Sequence, residues 1–224
     1  MSVSTETPSV ETLKQRRALR QSLRRQRRAL SPTQQRLASL ALCRQLRQLP
    51  ELRRARHVAL YLPNDGEIDP TPLVAWLRRR GTQVYLPVLR PLVENRLWFV
   101  RFNDATPMTT NRFGIQEPDT RFGAYRTRRC APWALDVVLL PLVGFDHHGQ
   151  RMGMGGGFYD RTFSFAHAQH GPRPRLMGLA HAIQRVEKLP SAHWDVPLDA
   201  IVSDQEVIRP RRNVTSSNYP LPAE

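Results

Sequence analysis

The stretch that most constrains this chain runs from an apolar segment, Val137 to Leu140, through Pro141-Leu142-Val143-Gly144-Phe145-Asp146 and on to Arg151-Met152-Gly153-Met154-Gly155-Gly156-Gly157-Phe158-Tyr159-Asp160-Arg161. The apolar segment has the length and composition of a buried strand. The periodicity from Tyr159 onward opens a helix, so the unit is strand, loop, helix. Four of the five residues from 153 to 157 are glycine. Without side chains there, backbone N–H groups can approach a phosphate closely and the following helix can turn its N-terminus to the anion. Arg151 and Arg161 offer planar forks for phosphate oxygens, and Asp146 and Asp160 offer carboxylates for Mg²⁺. Neither common nucleotide signature is met. Phe158 follows Gly157 where a Walker A loop needs Lys, and it also stands where the dinucleotide fingerprint needs its third glycine. On the residues alone, a flexible glycine turn between strand and helix remains the alternative.

The rest of the chain supplies the sheet this unit needs. Strands are read at Val58 to Leu62, Val84 to Val88, Leu97 to Phe102, Asp136 to Leu140, Arg175 to Ala180 and Ala200 to Ser203. Between the first two, Asn64-Asp65-Gly66 marks a turn and Asp69 an N-cap, with Pro70 at the first helical position and the helix ending near Gly81. This alternation predicts an α/β fold with a mostly parallel sheet, interrupted by an irregular region that runs to Pro118. No composition break demands a second domain, so residues 13–209 are read as one domain between disordered tails at 1–12 and 210–224. Cys43 and Cys130 are too few and too far apart for a disulfide framework or a zinc site, and read as ordinary thiols in a reducing compartment. No apolar run approaches the ~20 residues a bilayer requires, and the N-terminus lacks a secretory core, which predicts a cytoplasmic protein outside the membrane.

The net charge is +15, and residues 13 to 56 carry +13 of it, with fourteen Lys and Arg against Glu51. Leu19, Leu23 and Leu30 recur there at helical spacing, with arginines filling the rest. Ser31-Pro32-Thr33-Gln34 ends that helix and starts the next with a capping box, after which Leu37, Leu40, Leu42, Leu46 and Leu49 carry a second helix to Pro50. A basic helical hairpin therefore precedes the sheet. Its arginines, Arg24, Arg25, Arg27 and Arg28 among them, fit a nucleic-acid footprint, a funnel for acidic substrates or a solvated face. No aromatic interleaving or reader motif accompanies them, so nucleic-acid binding is expected to be at most non-specific. His147, His148 and His181 have no spaced partner set and read as structural or surface residues.

The run Gly144-Phe145-Asp146-x-x-Gly149-x-Arg151-x-Gly153-x-Gly155-x-Gly157-Phe158-Tyr159-Asp160 resembles the signature of the 5-formyltetrahydrofolate cyclo-ligase family. So do Tyr61-Leu62-Pro63 leading to Gly66-Glu67-Ile68-Asp69, then Val84-Tyr85-Leu86-Pro87-Val88, and Trp194-Asp195-Val196-Pro197, in the family's order over residues 14 to 203. The resemblance implies a single-domain three-layer α/β sandwich acting as a monomer on ATP and 5-formyltetrahydrofolate, with Mg²⁺ as cofactor. It implies ATP contacts from Arg16 and Arg20, and from Arg151, Met152, Gly153, Met154, Gly155, Gly156, Gly157, Phe158 and Tyr159. It implies folate contacts from Glu67, Met154, Gly155, Gly156, Gly157 and Phe158, catalytic roles for Arg151 and Tyr159, and magnesium-associated carboxylates at Asp160 and Asp195. Three positions depart from the family pattern: Arg16 replaces a lysine, Phe158 a residue that is often Tyr, and Gly156 a lysine carried by some members. An ATP-using paralogue with a different substrate is the enzyme alternative.

Overall fold

The computed structural model describes residues 10–93, 95–121, 128–167, 173–189 and 196–210. Helix α1 (Val10–Arg28) begins ahead of the expected Leu13. The capping box that opens α2 (Pro32–Gln48) forms as read: Gln34 N–H donates to Ser31 Oγ (3.3 Å) and Ser31 N–H to Gln34 Oε1 (2.8 Å). A short α3 (Pro50–Arg54) leads to β1 (His57–Ala59). The next helix, α4 (Leu73–Arg79), starts later than Asp69. Asp69 instead accepts from Thr71 N–H (2.8 Å), and a residue placed before proline, as Thr71 is, disfavours the α region, so the helix forms only past Pro72.

Strands β2 (Gln83–Leu89) and β3 (Leu97–Arg101) pair antiparallel. The region read as irregular contains a hairpin, β4 (Met108–Thr110) with β5 (Gln116–Pro118). After β6 (Arg129–Cys130) and β7 (Val137–Pro141), a second hairpin, β8 (Gly144–Asp146) and β9 (Arg151–Met152), occupies part of what the sequence presents as loop. Then come α5 (Phe158–Thr162), β10 (Arg175–Leu179), β11 (Arg185–Val186), β12 (Ala200–Val202) and β13 (Val207–Ile208).

Eight of the described strands form one sheet in the order β13-β12-β10-β7-β1-β2-β3-β6. The inner block from β12 to β2 is parallel, and β13, β3 and β6 join antiparallel at the edges. From β1 the chain moves to β2 on one side, then returns to β7 on the other and continues outward. β1 and β7 therefore flank the topological switch point, where open α/β sheets form a crevice beyond the strands' carboxyl ends. One face of the sheet packs Val58, Leu60, Val84, Leu139 and Met177 against Leu42, Leu46, Leu52, Leu73 and Leu77 of α2, α3 and α4. The other packs Val138, Leu140, Phe99 and Ile201 against Phe163, Ala166 and Leu198 beyond α5. This gives three layers, with the sheet in the middle. The two N-terminal helices do not share one core: Leu23 of α1 joins Val143, Met152 and Leu189, beside the hairpin of β8 and β9. No described helix is long and apolar enough to cross a membrane.

Candidate active site

The turn after β1 carries Glu67 and the loop after β7 carries the glycines, so the switch point brings them together although the sequence separates them widely. Tyr61 OH donates to Ile68 O (2.7 Å) and fixes the far side of the turn. Asn64 N–H donates to Glu67 Oε2 (3.1 Å), and Glu67 Oε1 lies 3.8 Å from the Arg27 guanidinium. Burial raises the Glu67 carboxyl to about 7, against the opposing pull of Arg27 and the Asn64 bond. Burial acts the same way on Asp65, but hydrogen bonds from Arg24, Arg27 and Arg28 outweigh it and lower that carboxyl to about 2.

Helix α1 presents these cations in an unexpected way. Its buried or half-buried stripe reads Arg16, Leu19, Arg20, Leu23, Arg27, at the three- and four-residue spacing of a single helix face. Arg20 Nε donates to Gly153 O (2.9 Å), which places it on the glycine loop. Arg16 is buried higher on the same stripe. Arg27 is 0% exposed: Nε donates to Asp65 O (2.8 Å), NH1 to Leu142 O (3.3 Å) and NH2 to Asp65 Oδ2 (2.7 Å), with Met154 Sδ 3.9 Å away. Arg24 and Arg28 also pair with Asp65. Three of the arginines that suggested a polyanion-binding face are thus committed to one carboxylate.

Two loop positions require glycine on backbone grounds. Gly155 (φ +92°) and Gly157 (φ +65°) lie in the left-handed region. A Cβ on Gly155 would sit 3.6 Å from the Arg20 guanidinium, and one on Gly157 would sit 2.7 Å from Arg161 NH1, which itself donates to Gly156 O (2.8 Å). Guanidinium groups of Arg20 and Arg161 thus border the loop beside these two glycines. Below the loop, Arg151 on β9 is 8% exposed and paired with Asp160 on α5. Arg151 Nε is buried with no hydrogen-bond partner among the described residues, leaving an unsatisfied donor there. Tyr159 stacks near Phe163, and burial, reinforced by the Glu67 charge, raises its phenol well above the usual range, so it stays protonated. Phe158 meets Phe113 edge to face (5.7 Å between centroids) and lines a cavity of about 460 Å³ with Arg90, Arg96, Arg112 and Glu117.

Residues 12–204 match the model of the 5-formyltetrahydrofolate cyclo-ligase family. The chain belongs to that family. It is 42% identical over 188 residues to the 5-formyltetrahydrofolate cyclo-ligase of Escherichia coli (strain K12), covering 83% of this chain and 98% of that one. It is 40% identical over 185 residues to the enzyme of that name from Haemophilus influenzae, covering 82% and 94%. The NMR structure of Aquifex aeolicus 5,10-methenyltetrahydrofolate synthetase aligns with a TM-score of 0.72 at 31% identity, covering 88% of this chain and 93% of that one.

Within this cyclo-ligase fold, one sequence expectation needs correction. Asp146 is fully buried and accepts from His148 N–H (3.0 Å), Gln150 N–H (2.9 Å) and Leu189 N–H (3.0 Å), so it holds the hairpin instead of offering a carboxylate to a metal. Met152 is also fully buried, packs with Leu23, and accepts from Val143 N–H (2.8 Å) through its carbonyl, so its side chain serves the core. Asp195 and Trp194 lie outside the described residues. No group of three or more His, Cys, Asp or Glu that could hold a metal occurs among the described residues. Asp160 still fits Mg²⁺ that arrives with phosphates: Arg151 and Val196 N–H (3.1 Å) both bond its Oδ1, leaving Oδ2. His181 is buried with Nε2 3.2 Å from Gly66 O, a structural role as read. The sequence reading missed Arg27. Its place four residues after Leu23 was the available signal.

Proposed function

We propose that this chain is an ATP-dependent ligase that closes 5-formyltetrahydrofolate to 5,10-methenyltetrahydrofolate, releasing ADP and phosphate. The observation that carries this reading is that one guanidinium, that of Arg27, lies 3.8 Å from Glu67 Oε1 and 3.9 Å from Met154 Sδ, so the carboxylate suited to a pterin and the loop suited to phosphates border the same space.

The formyl oxygen is a poor leaving group until it carries phosphate. Transfer of the ATP γ-phosphoryl group to that oxygen makes the carbon–oxygen bond cleavable. N10 then adds to the carbon and gives up its proton, and phosphate departs with the oxygen and that proton, leaving the N5–C–N10 amidinium bridge. In such a transfer the protein mainly positions groups and neutralises charge. Arg20, Arg151 and the N–H groups of Gly153 to Gly157 serve the phosphoryl oxygens, the unsatisfied Arg151 Nε among them. Glu67 accepts paired N–H donors from the pterin edge and so fixes the folate relative to the loop. Tyr159, kept protonated by burial, donates from below. Magnesium would be held by Asp160 with the nucleotide's own oxygens, and would supply further charge neutralisation.

In this reading the enzyme acts as a monomer in the cytoplasm; light scattering on the purified protein checks the former. Incubation with Mg-ATP and 5-formyltetrahydrofolate should generate methenyltetrahydrofolate absorbance with one ADP per product. ATP consumption without that absorbance would assign the site to another substrate.

A further inference from the structure

A fully buried arginine that touches no ligand in the proposed mechanism needs an account. Arg27 is held from three directions, by Asp65 through both its carbonyl and its carboxylate, by the Leu142 carbonyl at the end of β7, and beside Met154 in the glycine loop. If it served only to neutralise Asp65, Arg24 and Arg28 would already suffice, since both pair with that carboxylate. What Arg27 alone does is reach past Asp65 to Glu67, whose Oε1 is 3.8 Å away. The groups facing Glu67 are otherwise few. They are Arg24 and Arg27 from α1, Asp65 and the Asn64 amide from its own turn, Tyr61 at the end of β1 and Tyr159 from α5, while the neighbouring His181 is turned to Gly66 O. Asp65 opposes ionisation of Glu67, and both phenols stay neutral. Arg27 is the nearest positive charge, and a buried carboxyl without one takes up a proton. A protonated carboxyl becomes a donor on one oxygen and can no longer accept two N–H bonds in parallel.

We propose that Arg27 is a positioning residue for folate capture: from 3.8 Å it keeps Glu67 an acceptor on both oxygens. It acts through Glu67 and touches no substrate. The inference rests on the assignment of Glu67 to the folate.

The test is a double-mutant cycle on the full chain, with folate and ATP dissociation constants measured by calorimetry from pH 6 to 9 for wild type, Arg27→Met, Arg27→Lys, Glu67→Gln and the Arg27→Met/Glu67→Gln pair. Arg27→Met should weaken folate binding about fivefold or more at pH 7, because a shift of one pKa unit or more above 7 lowers the ionised fraction of Glu67 from about a half to about a tenth or less. The loss should shrink toward pH 9, where solution pH alone ionises the carboxyl, while ATP affinity stays within about twofold. Arg27→Lys should retain most of the affinity, and Arg27→Met should add nothing in the Glu67→Gln background. A loss that is the same at every pH, or that persists in full beside Glu67→Gln, overturns the inference. Should Arg27→Met fail to fold, Arg27→Lys carries the same pH comparison with a smaller shift, and a pH-independent loss there is equally fatal. Unchanged folate affinity in Glu67→Gln alone overturns the assignment of Glu67 itself, and this inference with it.

Discussion

Glu67 titrates near neutrality because burial raises its carboxyl to about 7. An N–H donor edge needs the ionised form, so wild-type folate affinity is expected to rise with pH through 7 and then level off. Glu67→Gln should bind folate at least about tenfold more weakly and with no such rise, since its amide accepts on one atom only. Calorimetry at a series of pH values decides this, and tighter binding on acidification would refute it. For stability the sign is opposite. The folded carboxyl holds its proton to a higher pH than the unfolded one, so between 4.5 and about 7 the native state binds more protons. The Glu67 contribution to stability is therefore full below 4.5 and is lost as pH rises through 7. At the loop, Arg151→Ala is expected to lower kcat by ~10²–10³, the usual loss for one donor to a developing charge. Asp160→Asn should raise the magnesium concentration needed for half-maximal rate. Unchanged rates in both variants at limiting magnesium would remove the pair from the mechanism.

Helix α1 was legible as a helix, and the family resemblance pointed to Arg16 and Arg20 on it, but the buried role of Arg27 was not legible. Leucines at 19 and 23 announced its period, and Arg27 read as one of several arginines on a basic face; its burial depends on a carboxylate and carbonyls that arrive from elsewhere in the chain. The capping box of α2 was readable because every one of its atoms lies within four residues. Two predictions belong at this level. Ser31→Ala should cost ~1 kcal/mol in urea denaturation and leave turnover unchanged, as the cap is exposed and remote from the glycine loop. Asp65→Asn should cost ~2 kcal/mol or more, because it strips the charge that Arg24, Arg27 and Arg28 share. Equal stability of the two variants would show that the arginine cluster is better described as surface charge.

The order of the strands decides the molecule's function, and that order is what local sequence withholds. Alternating apolar runs predicted a mostly parallel sheet, and the structure has one, yet nothing in Val58 or Val137 says that their strands lie side by side. Only that adjacency puts Glu67 beside Gly153 to Gly157. The small strands outside the main sheet were the least legible part: β4, β5 and the β8 and β9 hairpin are two or three residues long, too short for a period to register. The bond from Arg20 to Gly153 spans 133 positions of chain, which has a consequence for biosynthesis. The basic helix leaves the ribosome before the sheet, and this partner emerges only after more than a hundred further residues have been made. Contacts of such long range form late in folding. A nascent chain arrested before Gly153 should therefore be cut by trypsin at Arg27, whereas the released protein should shield that bond, and limited proteolysis of the two forms would separate them.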